Sequence, residues 1–186
     1  MEEKTSKLFD KGFKEILSAQ FFAIIGGLIA GIVLAVYTDK IFLIPGMLII
    51  LPGFMAMRGS ISGTFASRIS SGLFLRVINP KETHSQLIKG NIRGSFMLGI
   101  IVSLVLGLIA FLFNYFIMDS LTPLIILIPF LAGILSNFIL TPLTLFATIY
   151  IFKKGHDPNN IIGPFIMTVG DVTSIVSLLL VVFLLI

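Results

Sequence analysis

The sequence predicts an all-α integral membrane protein with five transmembrane helices, the second kinked or broken by Pro and Gly, and a cytoplasmic N-terminus. Three observations predict this. The chain is 56% hydrophobic over 186 residues, with a mean hydropathy of +1.09, which is more apolar surface than one soluble core of this length can hide. The apolar residues fall into about five uncharged stretches, each near the ~20 residues a membrane-spanning helix needs. The charges sit between those stretches, and they are unevenly divided. In lipid each stretch must be helical, because its backbone groups need partners within the segment.

Residues 1–18 form a charged, mildly amphipathic segment, read as a short cytoplasmic N-terminal piece ahead of a transmembrane domain over 19–186. No small-residue cleavage site follows a short apolar core, so no removable signal peptide is expected. Segment 1 spans Ala19–Tyr37. Its "GGLIAGIVLA" pairs Gly26 with Ala30 and Gly27 with Gly31, spacings that let helix backbones approach closely, within one subunit or between two. Segment 2 starts near Ile41, stays uncharged to Met57, and continues as "RGSISGTFASRISSGLFLRV". Segment 3 is Ser95–Met118. Segment 4, Leu121–Phe152, contains Pro123, Pro129 and Pro142 and is long enough for one tilted helix or a tight hairpin. Segment 5 is Asn159–Ile186.

Orientation follows from the basic residues. Of thirteen Lys and Arg, ten lie on the side of the N-terminus, from Lys4 to Lys154, and two, Arg58 and Arg68, lie within segment 2. Lys40 alone lies on the other side. The positive-inside rule then puts the N-terminus inside and, after five crossings, the C-terminus outside, as in a multi-pass plasma-membrane protein. The same placement explains the net charge of +4 without nucleic acid.

Several chemistries lack their residues. There is no cysteine, hence no disulfide and no thiolate metal site. The two histidines, His84 and His156, stand in polar loops. No GxxxxGK[ST] phosphate loop is present, so no ATP binding is expected. Paired intramembrane aspartates, a Ser–Lys or Ser–His arrangement and HExxH are all missing, so the chain does not read as an enzyme.

One carboxylate stands out. In "GPFIMTVGDVTSIVSLLLVVFLLI", Asp171 is the only charge. If segment 5 enters the hydrocarbon near Ile161, ten residues at ~1.5 Å place Asp171 about 15 Å deep, close to the middle of a ~30 Å core. A charge there costs at least ~2.5–3.5 kcal/mol and points to an ion path, or to an internal ion pair such as one with Arg58. Thr168 and Ser174 lie one turn to either side and are expected to share its face. Segment 2 offers a second polar run, with Pro52, Gly53, Gly59 and Gly63 among Ser60, Ser62, Thr64, Ser67 and Ser70. Freed carbonyls and hydroxyls suit hard cations. A kinked helix whose hydroxyls bond their own backbone is the plainer reading.

These two blocks resemble the membrane domain of the MgtE magnesium transporters, and still more the eukaryotic solute-carrier proteins built on two copies of it. In "PGFMAMRGSISGTFASRIS", Pro52, Arg58, Gly59, Thr64, Ala66, Ser67, Arg68 and Ser70 match the family pattern, while Ser60 stands where the family usually has Asn. In "GHDPNNIIGPFIMTVGDVTSIV", Asp157, Pro158, Asn160, Pro164, Gly170, Asp171 and Thr173 match. The resemblance implies a homodimer of five-helix chains that moves Mg2+ or a similar divalent cation. It implies a central path lined by segments 2 and 5, with Pro52, Arg58, Gly59, Ser60, Gly63, Thr64, Ser67 and Gly170 along it. Asp171 would be the principal ligand, near Thr168 and Ser174, with the carbonyl near Met167 as a second contact. The short N-terminal piece implies a transport unit without the regulatory domains of bacterial MgtE. The rival reading is a non-transporting membrane assembly or partner subunit in which Asp171 pairs with Arg58.

Overall fold

A computed structural model describes residues 2–83 and 85–186, with side chains from residue 10 onward. His84, and the side chains of Lys4 and Lys7, lie outside the described residues. The fold is all-helical: α1 (Glu2–Val36), a short α2 (Thr38–Phe42), α3 (Met47–Phe74), α4 (Gln86–Met118), α5 (Leu124–Lys153) and α6 (Pro158–Leu185). All but α2 are long and apolar enough to cross a membrane. The polypeptide is therefore a multi-pass membrane protein.

Several boundaries differ from the sequence reading, each for a local reason. The helix of segment 1 starts earlier than Ala19, because α1 runs through residues 2–18 without a break. Segment 2 begins at Met47 rather than Ile41. Pro45 and Gly46 turn the chain there, with Gly46 at φ 78°, and a Cβ on it would lie 2.8 Å from the Asn114 side chain. α3 then continues as one helix through Pro52, Gly53, Gly59 and Gly63, so it is not broken. Segment 4 is a single helix and not a hairpin, although Pro129 and Pro142 lie inside it.

The ends of α4 to α6 are specified by capping. Ser85 accepts from the Ile88 amide at 3.3 Å and starts α4, more than two turns before the uncharged run. Gly155, at φ 77°, stops α5 just after Lys154. Asp157 accepts from the Asn159 amide at 2.9 Å and Pro158 sets the first turn of α6. The N-terminal extension of α1 clamps this corner. Lys11 donates to the Gly155 carbonyl at 3.2 Å, and Glu15 meets His156 at 2.8 Å and Asn160 at 3.1 Å.

Helices α3, α5 and α6 pack on one another at the centre, α4 packs on α3 and α5, and α1 packs on α6. The main core joins Ile50, Phe54 and Met57 of α3, Ile125, Ile128 and Ala132 of α5, and Ile175, Leu178 and Val182 of α6. Small residues set the closest approaches. A Cβ on Gly26 would lie 1.8 Å from the Thr168 methyl carbon, and Ala30 is buried, so this pair packs α1 on α6 within the subunit. Gly27 and Gly31 meet nothing within 4 Å. Gly26→Ala is therefore expected to destabilise the purified protein by about 1–3 kcal/mol through overpacking. Gly27→Ala and Gly31→Ala keep or slightly raise its stability, since Ala favours the helix. Thermal unfolding in detergent separates the two, and equal effects at all three positions would contradict the packing described.

Candidate functional site

Helices α3 and α6 lie against each other, and each leaves one stripe uncovered. On α3 the exposed positions Pro52, Ala56, Ser60, Thr64 and Ser67 recur every three or four residues, which is one face of a helix. Gly59 and Gly63 border it, with open space where a Cβ would stand. On α6, Asn160, Gly163, Met167 and Asp171 recur at the same spacing. Met167 is 61% exposed and the other three are half-buried.

The chemistry of these stripes differs from the outer faces of the bundle, where Phe21, Ile24 and Leu28 of α1 and Leu108, Leu112 and Phe116 of α4 are exposed. Apart from Asn160, which donates to Glu15 of α1 at 3.1 Å, the polar side chains of the stripes are also uncommitted. Thr144 and Thr148 of α5 and Thr173 of α6 donate to the carbonyl four residues back, at 2.7, 2.7 and 2.6 Å. Among the described residues, the hydroxyls of Ser60, Thr64 and Ser67 make no hydrogen bond, and the Asp171 carboxylate has neither hydrogen bond nor ion pair. Self-bonded hydroxyls, the plainer expectation for α3, are thus not what this stripe contains. Prolines add acceptors, since Pro52 and Pro164 have no N–H for the carbonyls of Leu48 and Asn160. Toward the end of the bundle where α6 begins, the helices enclose a cavity of about 290 Å³ lined by Gly63, Ser67, Ser70, Pro158, Asn159 and Gly163. The Ser70 hydroxyl is buried there without a partner.

The stripes carry Pro52, Gly59, Ser60, Gly63, Thr64 and Ser67 on α3 and Met167 and Asp171 on α6. Four other sequence candidates lie elsewhere. Thr168 is buried against Gly26 of α1 and donates to the Pro164 carbonyl at 3.0 Å, because α1 occupies the side of α6 next to Asp171. Gly170 is buried toward Leu140 of α5. Ser174 is fully buried, its hydroxyl without a partner.

Arg58 lies on the covered side of α3, 1% exposed. Its Nη1 donates to the Gly133 carbonyl of α5 at 2.9 Å and its guanidinium lies 5.9 Å from the Phe54 ring centre. Nε and Nη2 have no partner among the described residues. Arg58 is sixteen residues from the end of α3 at Phe74, and Asp171 is thirteen from the start of α6 at Pro158. The two therefore sit at similar depth, about 24 and 20 Å along their helices. They face different neighbours, and the Arg58–Asp171 pair of the rival reading is not formed among the described residues. A stability cycle with Arg58→Met and Asp171→Asn should accordingly give a coupling below about 0.5 kcal/mol. A coupling above about 2 kcal/mol would mean the two charges are joined after all.

Ala56, Asn159 and Gly163 had no part in the sequence reading of the site. Gly163 could have been found from Asp171, since it lies eight residues before it on the same stripe. Ala56 and Asn159 carry no chemical signal of their own.

No curated protein and no solved structure matches the chain. The family model of MgtE, described as a divalent cation transporter, matches residues 51–181, which takes in both stripes, the cavity and Asp171. The match covers most of the chain, and the chain belongs to the MgtE divalent cation transporter family.

Proposed function

We propose that the chain carries Mg2+ across the plasma membrane as a homodimer. The N-terminus is cytoplasmic, the C-terminus is outside, and the path runs between the α3 and α6 stripes. One observation carries this reading: two adjoining helices of a membrane protein each leave a polar face uncovered, α3 with uncommitted hydroxyls and α6 with an unpaired carboxylate. Lipid cannot solvate such a face, so water and a second protein surface must cover it. A second copy, placed across a two-fold axis, supplies the same surface and a second Asp171.

The division of labour follows from the chemistry of the ion. Mg2+ sheds water reluctantly and is commonly held by one or two carboxylates with several waters kept. Asp171 supplies the charge, and the backbone carbonyl near Met167 is the second contact. Ser60, Thr64 and Ser67 accept from and donate to the waters that travel with the ion. Pro52 and Gly53 give α3 a place to bend. The polar cavity around Ser67, Ser70 and Asn159 is the cytoplasmic mouth, at the end where the basic residues gather. No bond of a substrate is broken, so the protein acts as a transporter and not an enzyme. Sites of carboxylate, carbonyl and water oxygens also accept Mn2+ and Co2+, with preference set by geometry and metal availability.

The test is flux in liposomes that contain only this chain. Mg2+ entry reported by an enclosed dye supports the reading. No flux of Mg2+, Mn2+ or Co2+ under an inward gradient would overturn it in favour of a non-transporting subunit.

A further inference from the structure

A second feature lies on the outer face of the bundle, away from the α3 and α6 stripes. Between α4 and α5 a groove of about 390 Å³ is walled by Phe96, Phe138, Pro142, Leu145 and Phe146, with Lys89 and Thr83 at its mouth. Phe96 and Phe138 meet edge to face, with ring centres 5.6 Å apart. Phe138 and Phe146 are 69% and 62% exposed, so the protein leaves the groove open along its length.

Its level in the membrane follows from the helices. Lys89 is three residues into α4, before the uncharged run, and therefore at headgroup depth. From Lys89 to Phe96 is seven residues, about 10 Å along the helix. The groove thus begins at the interface and descends into the hydrocarbon. Its top is cationic and its body apolar, which is the polarity of one anionic phospholipid. The charge at the top is free. Lys89 joins no ion pair among the described residues, and the nearby Glu82 carboxylate accepts from Asn79 at 3.3 Å. Arg93, one turn further along α4, is exposed as well. Basic clefts between transmembrane helices are known to favour anionic headgroups over zwitterionic ones.

We propose that this groove is a binding site for an anionic phospholipid, one acyl chain lying along the phenylalanines and the phosphate held by Lys89. The site requires only that the helices span a bilayer, and so stands apart from the transport reading.

The chain contains no tryptophan, which makes the test direct. Phe146→Trp places a single fluorophore in the groove. Leu98→Trp places one on the opposite side of α4, nine residues from Lys89, where the side chain is 48% exposed. Each variant is reconstituted in phosphatidylcholine vesicles that carry equal mole fractions of brominated phosphatidylglycerol or brominated phosphatidylcholine. For Phe146→Trp, the phosphatidylglycerol is expected to quench with about five-fold higher apparent affinity, the effect of one lysine near an anionic headgroup. Adding Lys89→Gln, an exposed substitution, should bring that ratio close to one, and Leu98→Trp should show a ratio close to one throughout. Four results would each overturn the proposal. Equal quenching by both lipids in the groove would mean ordinary boundary lipid. No quenching by either would mean that protein covers the groove. An equal preference at Leu98→Trp would mean general attraction to the basic end, and a preference that survives Lys89→Gln would remove the lysine from the site.

Discussion

Asp171→Asn is expected to reduce divalent-cation flux by at least about a hundred-fold while leaving the protein folded. Asn keeps the shape of the side chain and removes its charge. A divalent ion about 5 Å from a carboxylate, as when one water is shared, gains about 7 kcal/mol at an effective dielectric of 20. Half of that already corresponds to more than a hundred-fold in occupancy. Folding should survive because the carboxylate has no hydrogen bond or ion pair among the described residues to lose. Removing a buried charge costs nothing in packing here and lowers the expense of inserting α6. The measurement is Mg2+ uptake in liposomes, with elution profile and thermal midpoint recorded for the same preparation. Uptake at the unmodified rate by a folded Asp171→Asn protein would remove Asp171 from the path. Loss of uptake with loss of the folded peak would instead mark it as structural.

The fold was largely legible because its signals are strong in lipid. Five long apolar runs admit little besides five helices, and the spans were placed in the right order. Boundaries were harder. Pro45-Gly46 interrupts an apolar run without any polar residue, so hydropathy alone slid past it, though the dipeptide is a turn signal in its own right. The start of α4 was missed for the opposite reason. Its first turns carry Lys89 and Arg93, and long basic side chains extend from a helix toward the headgroups without ending it.

The candidate site was legible in part, and the missing part has a single cause. Spacing along a helix tells which residues share a side, but not which neighbour covers that side. Thr168 is only 60° around α6 from Asp171, yet α1 lies on it because Gly26 permits the approach. Arg58 stands among the small polar residues of segment 2 in sequence, and on the covered side of α3 in space. Its burial depends on the absence of a side chain at Gly99 of α4, where a Cβ would lie 2.9 Å from Arg58 Nη2. Gly133 of α5, whose carbonyl accepts from Arg58, is itself held close to α4, since a Cβ on it would meet the Ser103 side chain. Such complementarity between distant glycines and bulky or charged partners is a property of the folded assembly, and no window of sequence contains it.

If two Asp171 carboxylates share one ion, metal binding at the central site has a stoichiometry of one ion per two chains, and residues of the open α6 stripe face each other across the axis. One carboxylate offsets half of a divalent charge in a low-dielectric site, whereas two offset it fully. Two carboxylates without an ion between them repel, so the empty dimer holds a proton or another cation there. The structure selects the position that reports this. Ser174 is fully buried within the subunit, so a cysteine placed there is shielded from reagents. Met167 is one turn from Asp171 on the uncovered stripe and 61% exposed. In this cysteine-free chain, Met167→Cys should cross-link between subunits with thiol-reactive bifunctional reagents. Direct disulfide formation requires Cα atoms within about 7 Å, which a hydrated path exceeds, so reagents of graded length are used. Mg2+ should slow the reaction several-fold by occupying the path, and that protection should vanish with Asp171→Asn. Phe116→Cys, on the lipid-facing side of α4, should give no dimer band. If Met167→Cys fails to cross-link with reagents of any length while the protein still transports, the path does not lie at a dimer axis. The uncovered face of α3 and α6 would then have to be closed within a single subunit.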